Sequence, residues 1–366
     1  MENRVKKIHE LRQSIWLDFI DRKIMDSGDM QKLITEDGVR GVTSNPAIFE
    51  KAFSSSSDYD ADIAKLAKEG KSNDDIFYGV AVEDIKRAAD MFMQVYEEGV
   101  RGADGYVSLE VSPRFATDTE ATTNQALELW KAVHKDNVMI KIPGTKEGLP
   151  AIQKCIAEGL NINVTLLFGL ERYEAVTEAY ISGLEERVAA GKAIEYVSSV
   201  ASFFLSRIDV AVDPLLKEKG LDNLKGEVAI ASAKKAYEIY KRVFATDRWK
   251  KLEEKGAKPQ RLLWASTGSK DPAFSDVKYV EALIGPDTVD TIPMDTLVAF
   301  RDHGNAENTL EEDLDKATAT LEQIKTAGID LDKITQQLED EGIEKFNQPY
   351  DKLLAAIEKQ KQSALA

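Results

Sequence analysis

Short apolar runs alternate along the chain with longer stretches whose apolar residues return every three or four positions. The short runs read as buried strands and the long ones as amphipathic helices. Residues 14–20 (SIWLDFI) form the first expected strand, with Asp18 inside it, and a helix through Met30, Leu33 and Ile34 closes at Asp37-Gly38. Residues 39–44 (VRGVTS) are the second, and Asn45-Pro46 then supplies an N-cap and a proline at the first helical position. Helices are expected over 58–69 and 74–98, followed by a third strand at 106–111 that carries Glu110 and stops at Ser112-Pro113. A helix over 119–134 leads to the fourth strand, from Val138 through Lys141 to the Pro143-Gly144-Thr145 turn. Strands five to eight fall at 161–168, 196–203, 261–266 and 288–292, with helices over 146–158 and 170–190 between them. Residues 209–258 are mostly helical and long for one crossover, so they are expected to be a helical insertion. Residues 306–366 are expected to be C-terminal helices packed on the barrel, charged along their faces and punctuated at Gly342-Ile343 and Asn347-Gln348-Pro349.

Eight strands alternating with helices fit a single (β/α)8 TIM barrel spanning residues 1–366, or an open doubly wound sheet. Two features favour the barrel. Polar or ionisable residues recur near strand ends, at Asp18, Ser44, Glu110, Lys141, Thr165, Ser202 and Ser266, and no glycine-rich phosphate fingerprint follows the first strand. In the fifth strand Asn161, Asn163 and Thr165 alternate with Ile162, Val164 and Leu166. In a barrel that polar face points to the centre and implies a site.

Composition narrows the partners. The net charge of -16 argues against nucleic acid and anionic membranes, but a pocket answers to its own local charges. The single cysteine, Cys155, cannot make an internal disulfide. The first residues lack a signal-like apolar core and no run is long enough for a membrane span, so a cytoplasmic location is expected. His9, His134 and His303 are far apart in sequence, which gives no zinc pattern, and no Walker-type or dinucleotide loop occurs.

Lys141 is the centre of the chemistry. A lysine among apolar strand residues needs a partner or a task, and burial disfavours its charged form and frees the amine for attack on a carbonyl. Taken alone, it reads equally as an edge-strand residue, a side chain reaching out to water, or half of a structural ion pair. Neighbouring parallel strands lie ~4.8 Å apart. Glu110, Lys141 and Thr165 are therefore expected side by side, with Asp18 across the same mouth. An amine, two carboxylates and a hydroxyl in one cavity suffice for Schiff-base chemistry.

The segments GVTSNP at 41–46, IKIPGT at 140–145, NINVTLLF at 161–168, VASFFLSRID at 200–209 and WAS at 264–266 together resemble the signatures of the transaldolase family. Leu17-Asp18 fits the family's first strand and EGIEKF at 341–346 its C-terminal helix. The resemblance implies transfer of a dihydroxyacetone unit from sedoheptulose 7-phosphate or fructose 6-phosphate to an aldose phosphate, as part of the pentose phosphate pathway. It implies no cofactor or metal, because a protonated imine is itself the electron sink. Lys141 would form the Schiff base, Glu110 with Thr165 would handle the protons of dehydration, and Asp18 would take the proton beside the bond that breaks. Asn45, Asn163 and Ser202 would hold the hydroxyls, Phe204 would be a wall, and Arg207 and Ser266 would hold the phosphate. Better-known members carry a second phosphate arginine where this chain has Gly268; Lys270 is expected to replace it, with Asp271-Pro272 opening a helix towards the anion. A fructose 6-phosphate aldolase and a catalytically silent sugar-phosphate-binding barrel are the alternatives. Either a monomer or a homodimer is compatible with the sequence.

Overall fold

The computed structural model describes residues 3–365. Among them, seven parallel strands make one curled sheet: β1 (Gln13–Leu17), β2 (Val107–Glu110), β3 (Val138–Pro143), β4 (Ile162–Leu167), β5 (Ser199–Phe204), β6 (Arg261–Ala265) and β7 (Thr288–Ile292). The spatial order β1-β7-β6-β5-β4-β3-β2 follows the chain around a ring and leaves β1 and β2 at the two edges. Helices cover the outer face, as parallel strands with two buried faces require. The architecture is α/β and TIM-like.

The expected second strand is not a strand here. Residues 39–44 contribute one single-residue bridge to each edge, Leu17 with Val42 and Val42 with Val107. The backbone is nonetheless held on both sides: Thr43 N–H donates to the Leu17 carbonyl at 2.9 Å, and Ser108 N–H to the Val42 carbonyl at 3.0 Å. Pairing is short because the chain turns at once into the helix Pro46–Ser55, whose Ile48 N–H is capped by the Asn45 side chain. Gly41 allows the close passage. A Cβ there would lie 2.7 Å from two atoms of the Trp16 indole and 2.8 Å from the Tyr106 carbonyl oxygen.

β1 and β5 are trimmed relative to the sequence reading: β1 ends at Leu17, and β5 begins at Ser199, after an exposed Tyr196. Within residues 209–258, the helix Val228–Val243 packs on β6 and on the helices Leu170–Ala189 and Leu314–Thr326. The buried Asp209 fixes its start by accepting from Ala229 N–H at 2.8 Å and from the Tyr279 hydroxyl at 2.7 Å. The last helix, Leu331–Leu365, runs unbroken through Gly342 and Pro349, so neither is a break. Its buried stripe of Leu338, Gly342, Phe346, Tyr350, Leu354 and Ile357 recurs at helical spacing and lays one face on the molecule. Among the described residues, no helix is long and apolar enough to cross a membrane.

Candidate active site

The period of two puts Ser14 and Trp16 on one face of β1, with Asp18 next in that phase just past its end. Below, Asp104 closes the ring: it accepts from Ser14 and from Trp16 Nε1, and it faces Arg40 and Arg261. Above that floor lie the ionisable groups. Lys141 is paired in register with Glu110 on β2 and with Asn163 on β4. Its Nζ donates to the Ser44 carbonyl at 3.1 Å and stands 3.2 Å from Glu110 Oε2. Both side chains are buried, at 6% and 4% exposure. Lys141 aside, neither Glu110 oxygen has a hydrogen-bond partner. Burial pushes its pKa up to about 7, against the pull of the Lys141 ammonium and with a push from Asp18. That is where a group cycling between acid and base at neutral pH needs to be.

Asp18 lies just beyond β1, where Asp18 N–H donates to the Ile292 carbonyl at 2.9 Å. Its Oδ1 accepts from Thr43 Oγ1 at 2.7 Å, and Thr43 in turn meets Thr291 Oγ1 at 2.6 Å. With Thr43 donating to the carboxylate, Thr291 must donate to Thr43. Burial raises the Asp18 pKa, while Lys141, the Thr43 hydroxyl and Lys270 oppose it. The three opposing groups favour the ionised base that proton abstraction requires.

The expected trio is corrected in one respect. Thr165 pairs in register with Pro143, one layer above Lys141, and Asn163 holds the place beside the lysine. Thr165 is fully buried, and its Oγ1 has no partner. Asn163 is fixed from both ends: its Oδ1 accepts from Ser202 Oγ at 2.7 Å and its Nδ2 donates to Ser108 Oγ at 3.1 Å. Asn45 uses its side-chain oxygen as the cap on Ile48 N–H at 3.0 Å. Past Thr165 the β4–β5 ladder slips, and Leu166 takes φ 58°. Such a bulge re-aims the side chains that follow it.

At the rim, Phe168 and Phe204 meet with ring centroids 5.2 Å apart, and the Arg207 guanidinium lies 5.8 Å from the Phe204 centroid. Arg207 Nη1 is buried without a partner, and burial lowers its pKa. A buried, unspent guanidinium donor is costly unless an anion takes it up. Ser266 has φ 56°, and its Oγ lies 2.8 Å from Ser206 Oγ. A side chain at position 268 would start 3.9 Å from Lys270 Nζ, so the lysine reaches back beside the glycine. The expected helix at Asp271-Pro272 is absent. Asp271 instead closes a turn through Ala273 N–H at 2.8 Å, and the next helix is the short Lys278–Ala282. The reason is local: the Asp271 carboxylate and carbonyl both serve this turn, the carbonyl accepting from Phe274 N–H at 3.0 Å.

A family profile described as Transaldolase/Fructose-6-phosphate aldolase matches residues 15–357. A transaldolase of Trichodesmium erythraeum (strain IMS101) is 48% identical over 97% of this chain and 97% of its own length. Another, from Saccharopolyspora erythraea, is 47% identical over 95% of this chain and 94% of its own. The chain belongs to the transaldolase/fructose-6-phosphate aldolase family. Within it, "Transaldolase 2" of Nostoc punctiforme is 45% identical, again across 97% of both chains. The transaldolase segments named from the sequence all lie inside the matched span.

Sequence reasoning missed several side chains of this transaldolase site. Thr43 and Ser108 lie in or beside recognised strands, but only the fold reveals that they orient Asp18 and Asn163. Phe346 is fifteen residues into the last helix, counting from Leu331, and its ring centroid lies 5.7 Å from Lys141 Nζ. Nothing local to its sequence marks it as facing the lysine.

Proposed function

We propose that this transaldolase works through a Schiff base on Lys141, moving a dihydroxyacetone unit between sugar phosphates. The observation that carries the reading is the buried Lys141 amine, 3.2 Å from a Glu110 carboxyl with no other partner. The amine attacks the ketose carbonyl carbon, and Glu110 passes a proton to the hydroxyl that leaves as water, with Thr165 Oγ1 holding that water. Asp18 then takes the proton from the hydroxyl next to the scissile carbon–carbon bond. The bond's electrons flow into the protonated imine, the aldose phosphate departs, and an enamine of dihydroxyacetone stays on Lys141. An acceptor aldehyde reverses these steps, with Asp18 returning its proton. The electron sink is the imine nitrogen, so the steps balance with no further reactant.

Asn45, Asn163 and Ser202 are assigned to the dihydroxyacetone hydroxyls, and Phe204 to the wall. Arg207, Ser266 and Lys270 are assigned to the phosphate. The unspent Arg207 Nη1 and the approach of Lys270 to Gly268 support that last assignment. A planar guanidinium fork suits phosphate through paired, charge-assisted hydrogen bonds. Residues 39–44 are read as the eighth stave of the barrel, and residues 3–365 as one domain whose later helices pack on it. Sedoheptulose 7-phosphate and fructose 6-phosphate are the proposed donors, with glyceraldehyde 3-phosphate and erythrose 4-phosphate as acceptors.

Borohydride reduction with fructose 6-phosphate, followed by peptide mass analysis, tests the mechanism. A dihydroxyacetone-derived adduct is expected on the Lys141 peptide alone and is expected to vanish in Lys141→Ala. Labelling of a different lysine overturns the assignment. The aldolase activity that shares the family's description is separated by measuring free dihydroxyacetone with and without erythrose 4-phosphate.

A further inference from the structure

Asp18 ends a row of two buried hydroxyls. Thr43 Oγ1 donates to Asp18 Oδ1 at 2.7 Å and lies 2.6 Å from Thr291 Oγ1. Three backbone segments hold the row in place. Thr43 N–H donates to the Leu17 carbonyl at 2.9 Å, Asp18 N–H to the Ile292 carbonyl at 2.9 Å, and Thr291 pairs in register with Trp16. The buried Thr267 Oγ1 donates to the Thr291 carbonyl at 3.3 Å and fixes that end of β7. Thr43 and Thr291 are 2% and 4% exposed, so their hydroxyls have to be satisfied within the protein. Among the described residues, Thr291 Oγ1 has no hydrogen-bond partner other than Thr43. That sets the direction of the row, because each hydroxyl has one proton to give. If Asp18 were protonated and donated to Thr43, the row would run the other way, and the Thr291 proton would be buried without an acceptor. With Thr291 donating to Thr43 and Thr43 to Asp18, every proton is used and the row ends on an ionised carboxylate. The charges sharing the mouth with it are Lys141 on β3, Lys270 in the loop after β6, and the Glu110 carboxyl on β2.

We propose that Thr291 is a positioning residue for carbon–carbon bond cleavage: by donating to Thr43 it points that hydroxyl at Asp18 Oδ1, which leaves the second carboxylate oxygen to take the substrate proton. The inference rests on the Schiff-base reading above. In cleavage, Asp18 takes the proton of the hydroxyl next to the scissile bond, and the bond's electrons pass into the protonated imine. In the addition of the acceptor aldehyde, the enamine's electrons form the new bond and the proton returns from Asp18 to the aldehyde oxygen. Cleavage needs a carboxylate that is ionised beforehand, and both directions need one fixed in rotation while the proton moves. Thr43 alone can supply a hydrogen bond, but its hydroxyl turns about the Cβ–Oγ bond unless a lone pair is engaged. Thr291 engages it. The donation also makes Thr43 a stronger donor, since hydrogen bonds in a row polarise one another in a low-dielectric interior. Thr291 acts only through Thr43 and touches no reacting atom.

The test follows single turnovers of the full chain with fructose 6-phosphate across a range of pH. It reads the rate at which glyceraldehyde 3-phosphate appears and the six-carbon adduct trapped by borohydride on the Lys141 peptide. Thr291→Val keeps the branched shape and removes the hydroxyl. It is expected to slow glyceraldehyde 3-phosphate formation about fivefold, equivalent to ~1 kcal/mol. The six-carbon adduct should form at the wild-type rate and accumulate, because imine formation does not use Asp18. Weakening a hydrogen bond to the ionised form raises the Asp18 pKa, so the acidic limb of the cleavage rate should move to higher pH by roughly half a unit. Thr291→Ser restores the hydroxyl and should return the limb to its place and the rate to within about twofold of wild type. Thr291→Ala carries the test, with the same losses expected, if the valine variant does not fold. Valine and serine variants that behave alike, or an acidic limb that does not move, overturn the role given to Thr291. So does an adduct that forms more slowly in step with cleavage, since a packing loss would also disturb the adjacent Ser44 carbonyl on Lys141. Absence of the Lys141 adduct in the wild type overturns the Schiff-base reading instead, and that adduct tells the two failures apart.

Discussion

At the scale of single residues, two carboxylates in one mouth are proposed to carry different tasks because their surroundings differ. Burial raises the pKa of both, that of Glu110 to about 7, and Lys141 opposes it at both, but Asp18 is also opposed by the Thr43 hydroxyl and by Lys270. In the proposed mechanism the protonated form of Glu110 supplies the proton for dehydration, and that form is lost as pH rises through about 7. The rate of imine trapping in a single turnover should therefore fall with a bend near that pH. Glu110→Gln should remove the bend and slow trapping by ~10²–10⁴-fold. Asp18→Asn should leave trapping intact but slow carbon–carbon cleavage, so the covalent intermediate accumulates in a quench experiment. Lys270, proposed to hold the phosphate, is also a charge near Asp18. Removing one charge-assisted hydrogen bond costs ~1.5–3 kcal/mol. Lys270→Ala should accordingly raise KM for phosphorylated donors about ten- to a hundredfold and leave KM for a nonphosphorylated ketose unchanged. A smaller fall in kcat, shared by both substrates, would report the loss at Asp18. An equal rise in KM for both would mean that Lys270 only supports its loop.

At the scale of elements, residues 39–44 do more than their single bridging residue suggests. They supply the Ser44 carbonyl to Lys141 and the Thr43 hydroxyl to Asp18, so the closure of the ring and the orientation of the chemistry share one segment. Gly41 makes that closure possible, since any Cβ would press on the Trp16 indole and on the Tyr106 carbonyl, neither of which is a flexible tip. Gly41→Ala should destabilise by ~1–3 kcal/mol, the usual range for overpacking. A urea unfolding midpoint reads this directly. An unchanged midpoint would show that the segment relaxes outward at no cost.

At the scale of the whole molecule, one buried group works against stability. Asp290 on β7 pairs in register with Ile15 and Trp264, is fully buried, and has no partner at either carboxylate oxygen. Burial pushes its pKa to about 8, with the Thr267 hydroxyl pulling the other way, from an ordinary value of 3.8. The folded state therefore holds this proton more tightly than the unfolded chain does. Its contribution is full below about pH 4, declines as pH rises, and is lost once pH passes through about 8. Asp290→Asn should flatten the fall in melting temperature between those limits and should be more stable than the wild type at the alkaline end. Parallel pH curves for the two proteins would count against a protonated Asp290.

The sequence by itself determined which segments became seven of the strands, where most helices fall, and that a lysine and two carboxylates stand at strand ends. These follow from local periodicity, because alternation and helical spacing are written within a few consecutive residues. The motifs likewise carried the family. Tertiary structure alone decided what depends on neighbours distant in sequence. Register put Asn163, not Thr165, beside Lys141. A pairing partner on each edge, together with the capped helix that follows, cut residues 39–44 to a single bridging residue, Val42. The C-terminal helix, expected only to pack on the barrel, brought Phe346 over the lysine. The physical reason is common to all three: hydrogen bonding and packing between segments are settled across space, and no window of neighbouring residues contains both partners.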